Sequence, residues 1–515
     1  MTTMLSLLAS LAVISGAWWA WMVIQWVWLR PRAIEKCLRK QGLDGPSYKL
    51  LHGDTNQLAT MSRKAALNPK PLSFSDDFLP SVLPFYHHII HTYGKNSFAW
   101  IGPTARITIM DPELIKEVLV NNKVYKKPTP NPLVRFLVSG VAGYEDQKWA
   151  KHRKILAPAF TQDKLKHMFS AMYTSCNDIL VKPWSKLVSE NNGSCELDVQ
   201  PYIDDFSSDV ISQNAFGSSY EQGRRIYQLQ KEQAMLTSKV LQSVYLPGRR
   251  YLPTKTNRRM KQIDSELRSI LSKIMEKKER VMLSKESDDH EDLLSLLLKS
   301  TTNINENLRM SVDEVMGECK SIYFAGQESS SNLLLWTMIL LSQHPIWQTR
   351  AREDVHQVFG HNKPSYEGLN HLKIVTMILY EVLRLYSPAT IFTRITYNET
   401  KLRNLTVPAG VQFLLPVIFV HHDREIWGED AKEFNPERFS EGIAKATKNR
   451  VAFFPFSWGP RICIGNNFAL MEAKLAISTI LQNFSFELSP SYTHSPVYVV
   501  TLQPRHGAHL ILHKI

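Results

Sequence analysis

One stretch of the sequence limits the possible folds more than any other, because it predicts a single helix about as long as a whole domain. It begins at Ser311, which can form an S-x-x-E capping box with Glu314. It then runs without proline to His344, where Pro345 ends it. At a rise of about 1.5 Å per residue the helix would be roughly 50 Å long. A helix of that length can cross an entire domain.

The middle of this predicted helix is unusually polar for a buried element. Residues 324–332, FAGQESSSN, bring together a glycine, a carboxylate and three hydroxyl groups. Gly326 costs about 1 kcal/mol relative to alanine, and serine side chains can bond back to the preceding turn and bend a helix. One interpretation is an exposed polar stripe, and the other is a bend that something occupies. The apolar LLLWTMILL that follows favours the second.

The first 29 residues are typical of a membrane anchor. They carry no charge, and residues 4–29 form a nearly unbroken apolar run long enough to cross a bilayer as a helix. Five tryptophans lie towards its end, and five basic residues follow between Arg30 and Lys40, which places the rest of the chain in the cytoplasm. A cleaved signal peptide is the alternative, but the basic segment that should precede it is missing. Cytoplasmic topology predicts no glycan at any of four sequons: Asn192, Asn398, Asn404 and Asn483.

Charge and cysteine content narrow the class of protein. The chain of 515 residues has a formal net charge of +13, which calls for an acidic partner, yet no dense basic motif interleaved with aromatics points to nucleic acid. Five cysteines without close pairing argue against a disulfide framework and a zinc cage, and for a reducing compartment. The length alone would predict two to four domains.

The hydrophobic pattern along the chain predicts mainly helices. Residues 42–47, GLDGPS, should turn the chain away from the membrane. SFAWIG and ARITIM, around Pro103, alternate like the two strands of a hairpin. From about 112 to 390 the periods are mainly helical, interrupted by a predicted solvated loop at 284–292.

A lone cysteine near the C-terminus stands in an unusual loop, FPFSWGPRICIGNNFA, residues 454–469. Cys463 precedes a helical pattern, so a low thiol pKa is expected at that helix N-terminus. Gly459 and Gly465 would let the loop approach something closely, and Arg461 can reach an anion. A flat iron macrocycle with carboxylate arms would require all of these residues. The alternative, a buried structural cysteine, leaves the glycines and the arginine unexplained.

At these residues the sequence resembles the cytochrome P450 family. Residues 456–465 match the haem-binding loop of that family, F-x-x-G-x-R-x-C-x-G, at every fixed position, which is a highly specific signal. Further motifs follow the family order over essentially the whole chain: W-x-x-x-R at Trp149 and Arg153, the oxygen-binding groove at 325–329, E-x-x-R at Glu381 and Arg384, and P-E-R-F at 436–439.

This resemblance implies a mainly α cytochrome P450 fold, in which one helical domain with a small β-sheet region overrides the length-based expectation. The expected organisation is a transmembrane anchor at 1–30, a basic linker at 31–47 and a catalytic domain at 48–515. It further implies haem b as cofactor, with Cys463 as the axial thiolate ligand of iron, a ligand that favours cleavage of the O–O bond.

The remaining motif residues take their expected roles from the same resemblance. Those that would bind the haem and its propionates are Trp149, Arg153, Arg394, Phe456, Gly459, Arg461 and Gly465. Glu381, Arg384 and Arg438 would form a buried network that supports the haem loop. Taken alone, Glu381 and Arg384 would also fit an exposed i, i+3 pair.

Glu328 and Ser329 are the expected catalytic pair, which would deliver protons to dioxygen on the iron. The family usually has threonine at position 329, and serine keeps the hydroxyl but lacks the methyl group that fixes the rotamer. We therefore expect proton delivery with a less fixed geometry and more leakage of reduced oxygen.

Two segments, residues 323–355 and 28–45, look most like the plant group of the family that includes secologanin synthase, whose members oxidise terpenoids. A triterpenoid or an iridoid is the expected substrate, with apolar pocket segments at 130–144 and 387–393. Arg135 is either a partner for a substrate carboxylate or a surface arginine. Electrons would come from NADPH through cytochrome P450 reductase in the endoplasmic reticulum membrane, because no dinucleotide fingerprint is present. Candidate docking residues are Lys148, Lys151, Arg153, Lys154 and Lys474.

Three alternatives remain open from the sequence. The first is a diterpenoid hormone (gibberellin) oxidase, and the second is a haem-thiolate isomerase or lyase that does not use O2. The third is a haem-bearing sensor without turnover. The acid and hydroxyl at Glu328 and Ser329 favour dioxygen chemistry over the isomerase.

Overall fold

Helices make up most of the molecule. The computed structural model describes residues 2–67, 71–129, 131–244, 248–284 and 292–515. Apart from its two end residues, the predicted loop at 284–292 lies outside these ranges. In the described part of the chain, one hydrophobic cluster extends from Ile34 to Leu512 and contains most of the core. The predicted mainly α fold with small sheets is confirmed.

The chain begins with one continuous helical stretch that carries the predicted anchor. Helix α1 covers Thr2–Ile24, a π-helical turn covers Gln25–Leu29, and α2 covers Arg30–Lys40. Within this stretch, Leu7–Lys40 includes a window with a mean hydropathy of 1.8 and no buried residue, apolar enough to cross a membrane. The helix therefore continues past residue 30, the predicted end of the anchor, and the chain leaves it at Gly42.

Eighteen further helices follow in the described ranges: α3 Thr55–Leu67, α4 Leu79–Val82, α5 Pro84–Tyr93, α6 Pro112–Val120, α7 Asp146–Leu156, α8 Gln162–Cys176, α9 Lys182–Glu190, α10 Gln200–Phe216, α11 Tyr220–Leu241, α12 Lys255–Leu283, α13 Leu293–Thr301, α14 Val312–Gln343, α15 Pro345–Phe359, α16 Lys373–Leu385, α17 Val417–His421, α18 Arg424–Trp427, α19 Ile443–Ala446 and α20 Asn466–Asn483. The predominance of helices between 112 and 390 is as predicted.

The strands are short and form small sheets at the edge of the helical core. They are β1 Phe98–Ile101, β2 Thr104–Thr108, β3 Ser194–Asp198, β4 Phe392–Ile395, β5 Thr400–Leu402, β6 Leu405–Val407, β7 Gln412–Leu415, β8 Phe484–Leu488, β9 Pro496–Val499, β10 Thr501–Pro504 and β11 His509–Lys514. The sheet orders are β1-β2-β7-β4 and β3-β11-β8, with two separate hairpins, β5-β6 and β9-β10. The predicted hairpin around Pro103 is confirmed, because β1 and β2 pair antiparallel with Ile101 opposite Thr104.

Helix α14 is the long helix that the sequence predicted. Its capping box is present, since the Ser311 hydroxyl accepts from the Glu314 N–H at 3.2 Å and the Glu314 carboxylate accepts from the Ser311 N–H at 3.0 Å. The helix packs against α10, α16, α20 and β10. Most of its residues are buried, including the polar run from Ser330 to Asn332, so an exposed polar stripe is excluded. Its middle is open only around Ala325, Gly326 and Ser329.

Candidate active site

The loop before α20 presents the Cys463 side chain at an exposed position. A short 3-10 turn at Gly459–Arg461 reverses the chain, and the N–H of Cys463 then donates to the carbonyl of Phe456 at 2.9 Å. Phe456 is half-buried and packs against the main core. Because α20 begins at Asn466, the thiol stands just before a helix N-terminus, as the sequence predicted.

The two loop glycines have different surroundings. Gly459 has a φ of +72°, and a Cβ there would lie 3.0 Å from the Leu119 carbonyl and 3.1 Å from the Val120 Cα. The loop therefore needs glycine at 459 in order to pack on the end of α6. A Cβ on Gly465 would make only an ordinary contact, 3.7 Å from the Phe160 ring.

The thiol pKa differs from the expectation of a low value. Although the Cys463 side chain is accessible to solvent, the protein atoms around the loop raise its pKa by desolvation. The backbone N–H of Gly465 and the nearby Arg153 guanidinium lower it, but by less. A metal cation bound to the sulfur would supply the missing positive charge.

A cluster of cations lies beside this loop, formed by Lys127, Arg394 and Arg461 around the carboxylate of Glu145. Arg461 pairs with Glu145 at 2.8 Å and donates to the Tyr144 carbonyl at 3.0 Å. Burial and repulsion from the two arginines lower the pKa of Lys127 to about 7. Burial and repulsion from Arg461 also lower the pKa of Arg394, to about 10. The cluster is therefore short of negative charge.

Helix α7 brings the W-x-x-x-R residues to the same place. The Arg461 guanidinium lies over the Trp149 ring, 4.4 Å from its centroid. One turn later, Arg153 is half-buried, and the negative charge of a Cys463 thiolate would raise its pKa against the effect of burial. Of the three arginines predicted to bind the haem, Arg394 and Arg461 therefore lie in the cation cluster, and Arg153 lies near the sulfur of Cys463.

These residues fit a haem with carboxylate arms. Nε of Arg394 and Nε of Arg461 are buried without a hydrogen-bond partner in the part of the chain that the structure describes. Three cations share one carboxylate in the cation cluster, so two propionates would supply the missing acceptors and negative charge. The exposed sulfur of Cys463 lies at the same site. The donor set thus suits an iron porphyrin held by a thiolate.

Glu381 and Arg384 form a fully buried pair on α16. Nε and Nη2 of Arg384 each donate to a Glu381 oxygen at 2.7 Å. The remaining N–H groups of Arg384 donate to the carbonyls of His421, Ala431 and Glu433. The pair is therefore not the exposed i, i+3 pair that its spacing alone would allow.

Arg438 joins this network less directly than the sequence suggested. Its Nε is 3.6 Å from Glu381, whereas its Nη2 is 2.8 Å from Asp430. The link to the cysteine loop runs instead through His421, whose Nε2 accepts from the backbone N–H of Phe454 at 2.9 Å. Arg384 thus fixes His421, and His421 fixes the segment that leads into the loop.

Helix α14 carries Ser329 on its open face. The Ser329 hydroxyl donates to the Ala325 carbonyl at 2.6 Å, which is the back-bond that the sequence predicted. The Glu328 carboxyl is buried and accepts from the Thr501 hydroxyl of β10 at 2.7 Å. Burial raises the pKa of Glu328. The predicted pair is adjacent in sequence, but its two side chains have different partners.

Several residues at this site were not found from the sequence. Lys127, Glu145 and Thr501 meet their partners only across long separations in the chain. Glu318 accepts from the Val141 N–H at 2.7 Å and lies 2.6 Å from His152 Nδ1, which ties α14 to α7 and to the loop before it. A signal for this contact was present, because Glu314 and Glu318 on one helix match the i, i+4 spacing of Lys148 and His152 on another.

One of the two predicted pocket segments, residues 130–144, packs beside the middle of α14. From the segment at 130–144, Leu137 is buried with Ala234 and Phe324, and Val138 and Val500 pack against them. Residue 130 lies outside the described ranges. Arg135 is exposed, which favours the interpretation as a surface arginine.

Comparisons with known proteins agree with these features. A family model described as cytochrome P450 matches residues 82–509. The chain is 57% identical over 505 residues to "Cytochrome P450 72A397" of Kalopanax septemlobus, covering 96% of each chain. It is 54% identical over 500 residues to "Cytochrome P450 CYP72A219" of Panax ginseng, again covering 96% of each. It is 49% identical over 507 residues to "Secologanin synthase 1" of Catharanthus roseus, covering 96% of this chain and 95% of that one.

Proposed function

The chain belongs to the cytochrome P450 family and is a haem-thiolate monooxygenase supplied with electrons by a reductase, and we propose that it oxidises a terpenoid in the endoplasmic reticulum membrane. The observation that carries the assignment of the site is the exposed Cys463 thiol beside a cation cluster with unpaired, buried arginine nitrogens. A similarity to secologanin synthase supports the terpenoid class, as do the apolar side chains above α14.

A bound haem would supply the activation of O2, and residues of this chain would hold the haem and provide protons. Cys463 would bind the iron, and Trp149, Arg394, Arg461 and Lys127 would bind the propionate side of the ring. The buried network around Arg384 would keep the cysteine loop rigid, because each N–H of the guanidinium has an acceptor. Rigid support of a metal ligand keeps its geometry constant through a reaction.

Proton supply would fall to Glu328 and Ser329. Burial raises the pKa of the Glu328 carboxyl and so favours its protonated form, and the Ser329 hydroxyl lies on the open face where a proton is needed. Because Ser329 bonds back to Ala325, it must turn before it can donate into the open space. The proposed path therefore requires both side chains to move.

The predicted reductase-docking residues divide into two kinds. Lys148 pairs with Glu314 at 2.6 Å, Lys151 donates to the Arg309 carbonyl, and Lys474 donates to the Leu369 carbonyl at 3.1 Å. Lys154 on α7 is exposed. We expect Lys154 to contribute more to docking than the three lysines that already have partners.

The substrate class is tested by turnover in microsomes that contain the protein and its reductase. A panel of iridoids, triterpenoids and gibberellin precursors is supplied under oxygen-18 gas, and products are identified by mass spectrometry. We expect a labelled terpenoid product together with NADPH consumption, and neither signal above background in Cys463→Ala microsomes. Turnover of gibberellin precursors alone would move the assignment to the diterpenoid hormones, and no turnover at all would overturn the terpenoid class.

The membrane topology is tested by glycan analysis. Asn192 and Asn404 are exposed in the structure, so burial does not protect these sequons. If the domain faces the cytoplasm, an endoglycosidase leaves the mobility of the protein unchanged. A mobility shift would place the domain in the lumen.

A further inference from the structure

The tip of the β9-β10 hairpin contains a strained residue. Val499 and Thr501 pair across the hairpin, and Val500 is the residue between them. Its φ is +71°, in the left-handed region. A β-branched side chain rarely adopts this conformation, and such residues persist only when their surroundings hold them in place.

Three hydrogen bonds to α14 hold this tip. The Thr501 hydroxyl donates to the Glu328 carboxylate at 2.7 Å and accepts from Asn332 Nδ2 at 3.2 Å. Asn332 also donates to the backbone carbonyl of Glu328, at 2.8 Å. Further along β10, the indole N–H of Trp336 donates to the Leu502 carbonyl at 3.2 Å. The strand is thus fixed to the helix at Glu328 and at the two turns that follow it.

The other contacts of the tip are apolar and lie where a substrate would lie. Val500 packs, together with Val138, against the cluster of Leu137, Ala234 and Phe324. Phe324 is one turn before Glu328 on α14 and next to Ala325 on the open face. A bulky apolar molecule in that space would press on Val500, and Thr501 is its neighbour in the chain.

The groups around Glu328, among them the Thr501 hydroxyl, affect the pKa of its carboxyl. Burial and the charge of Asp204 on α10 favour the protonated carboxyl, whereas Lys231 on α11, Thr501 and Asn332 favour the ionised one. Tyr227 on α11 also lies within the electrostatic reach of this group. Loss of the Thr501 bond removes a donor to the carboxylate and so raises its pKa further.

We propose that Thr501 is a positioning residue, which holds the Glu328 carboxyl away from Ser329 until substrate contact at Val500 releases it. With the bond intact, the Glu328 carboxyl accepts from the Thr501 hydroxyl and is held at the hairpin. With the bond broken, the carboxyl is free to turn towards Ser329. The proposal rests on the proposed function, because the substrate is taken to be a bulky apolar molecule above α14.

The test compares Thr501→Val, which keeps the shape but lacks the hydroxyl, with Thr501→Ser, which keeps the hydroxyl. Thr337→Val is the matched control, because it also removes a buried hydroxyl from this region, but one that donates only to the Leu333 carbonyl of its own helix. The readouts are the product formed per NADPH consumed, its dependence on pH, and hydrogen exchange of residues 496–504 with and without substrate.

In the wild type, substrate should speed exchange in the hairpin, and product per NADPH should follow a pH profile set by Glu328. In Thr501→Val we expect fast exchange with or without substrate and a profile shifted to higher pH. Product per NADPH at its best pH should stay close to that of the wild type, because the Glu328 carboxyl is already free to turn towards Ser329. Thr501→Ser and Thr337→Val should resemble the wild type.

Two outcomes would overturn the proposal. The first is a Thr501→Val enzyme with an unchanged pH profile, and the second is a substrate that shifts the Soret band of the wild type without changing exchange in the hairpin. If instead no terpenoid shifts the Soret band, the proposed function fails, and the fast exchange expected of substrate-free Thr501→Val still tests the role of Thr501.

Discussion

Two fully buried glutamates mark two regions of the molecule that are built in opposite ways. Glu381 belongs to the loop region, defined here as α16, residues 421–438 and the Cys463 loop, and both of its oxygens accept from Arg384. Glu472 on α20 belongs to the groove region, defined as the middle of α14 with its neighbours on α10, α20 and β10. Its carboxyl lies near the hydroxyls of Ser207 and Ser330, which lower its pKa less than burial raises it. One carboxylate is neutralised by a guanidinium, and the other is left to hold a proton.

The difference suggests why one region can be rigid while the other moves. In the loop region, the buried charges are paired and the arginine has an acceptor for each N–H, so movement would break several bonds at once. In the groove region, the Glu328 carboxyl accepts from the Thr501 hydroxyl at 2.7 Å and, at a longer 3.5 Å, from Asn332 Nδ2. Val500 beside Thr501 adopts a strained conformation. A ligand to iron requires a constant position, whereas a proton donor must change partners.

The largest effect is expected in the loop region, from Cys463→Ala. Without the sulfur the iron has no thiolate ligand, so the reduced protein exposed to carbon monoxide should lose the thiolate-type Soret band completely. Optical spectra of purified protein measure this. A thiolate-type band that persists in the variant would show that another side chain binds the iron.

The next largest effect is expected from Arg384→Ala, which tests the rigidity of the same region. Arg384→Ala leaves Glu381 buried without its partner, and we expect the free energy of unfolding to fall by about 3–5 kcal/mol. Lys182→Ala, which removes one side of the exposed Lys182–Asp178 pair, should cost less than about 1 kcal/mol. Urea unfolding of the two variants makes the comparison. Equal losses would contradict the assignment of Arg384 as buried support.

A pH series tests the groove region. Burial raises the pKa of Glu472 to about 8. The native state therefore binds this proton more tightly than the unfolded chain does. The resulting stabilisation of the native state is complete below the ordinary pKa range of a carboxyl group, and it is lost as the pH rises through about 8. Between those limits the free energy of unfolding should fall with a slope approaching about 1.4 kcal/mol per pH unit.

The matched variant for this series is Glu472→Gln, which has no proton to lose. Its unfolding free energy, measured in urea from pH 6 to pH 9, should depend less on pH than that of the wild type. Parallel curves for the two proteins would mean that Glu472 is ionised in the native state.

The smallest expected effect concerns Ser329, where the family pattern predicts threonine. Ser329→Thr restores the methyl group that limits rotation, so product per NADPH should rise, by about twofold. Ser329→Ala removes the hydroxyl and should lower the same ratio by about tenfold. NADPH consumption, hydrogen peroxide and product are measured together. No change in either variant would remove Ser329 from the proton path.

The features that the sequence predicted well are those set by neighbours in the chain. The capping box at Ser311, the stop at Pro345 and the hairpin around Pro103 depend on residues a few positions apart. The motif from Phe456 to Gly465 was equally readable, because its spacing is fixed by one loop. The role of Gly459 was not, since its close neighbours belong to α6, more than three hundred positions earlier in the chain.

By itself the sequence determined the long α14 helix, the apolar N-terminal helix, and the cysteine loop ahead of α20. Only the tertiary structure decided that Lys127 shares the site of Arg461, that Arg438 lies closer to Asp430 than to Glu381, and that Thr501 holds Glu328. Local patterns follow from the geometry of one helix or turn. The pKa of a buried group and the partner of a hydrogen bond depend on which distant segments the folded core brings together.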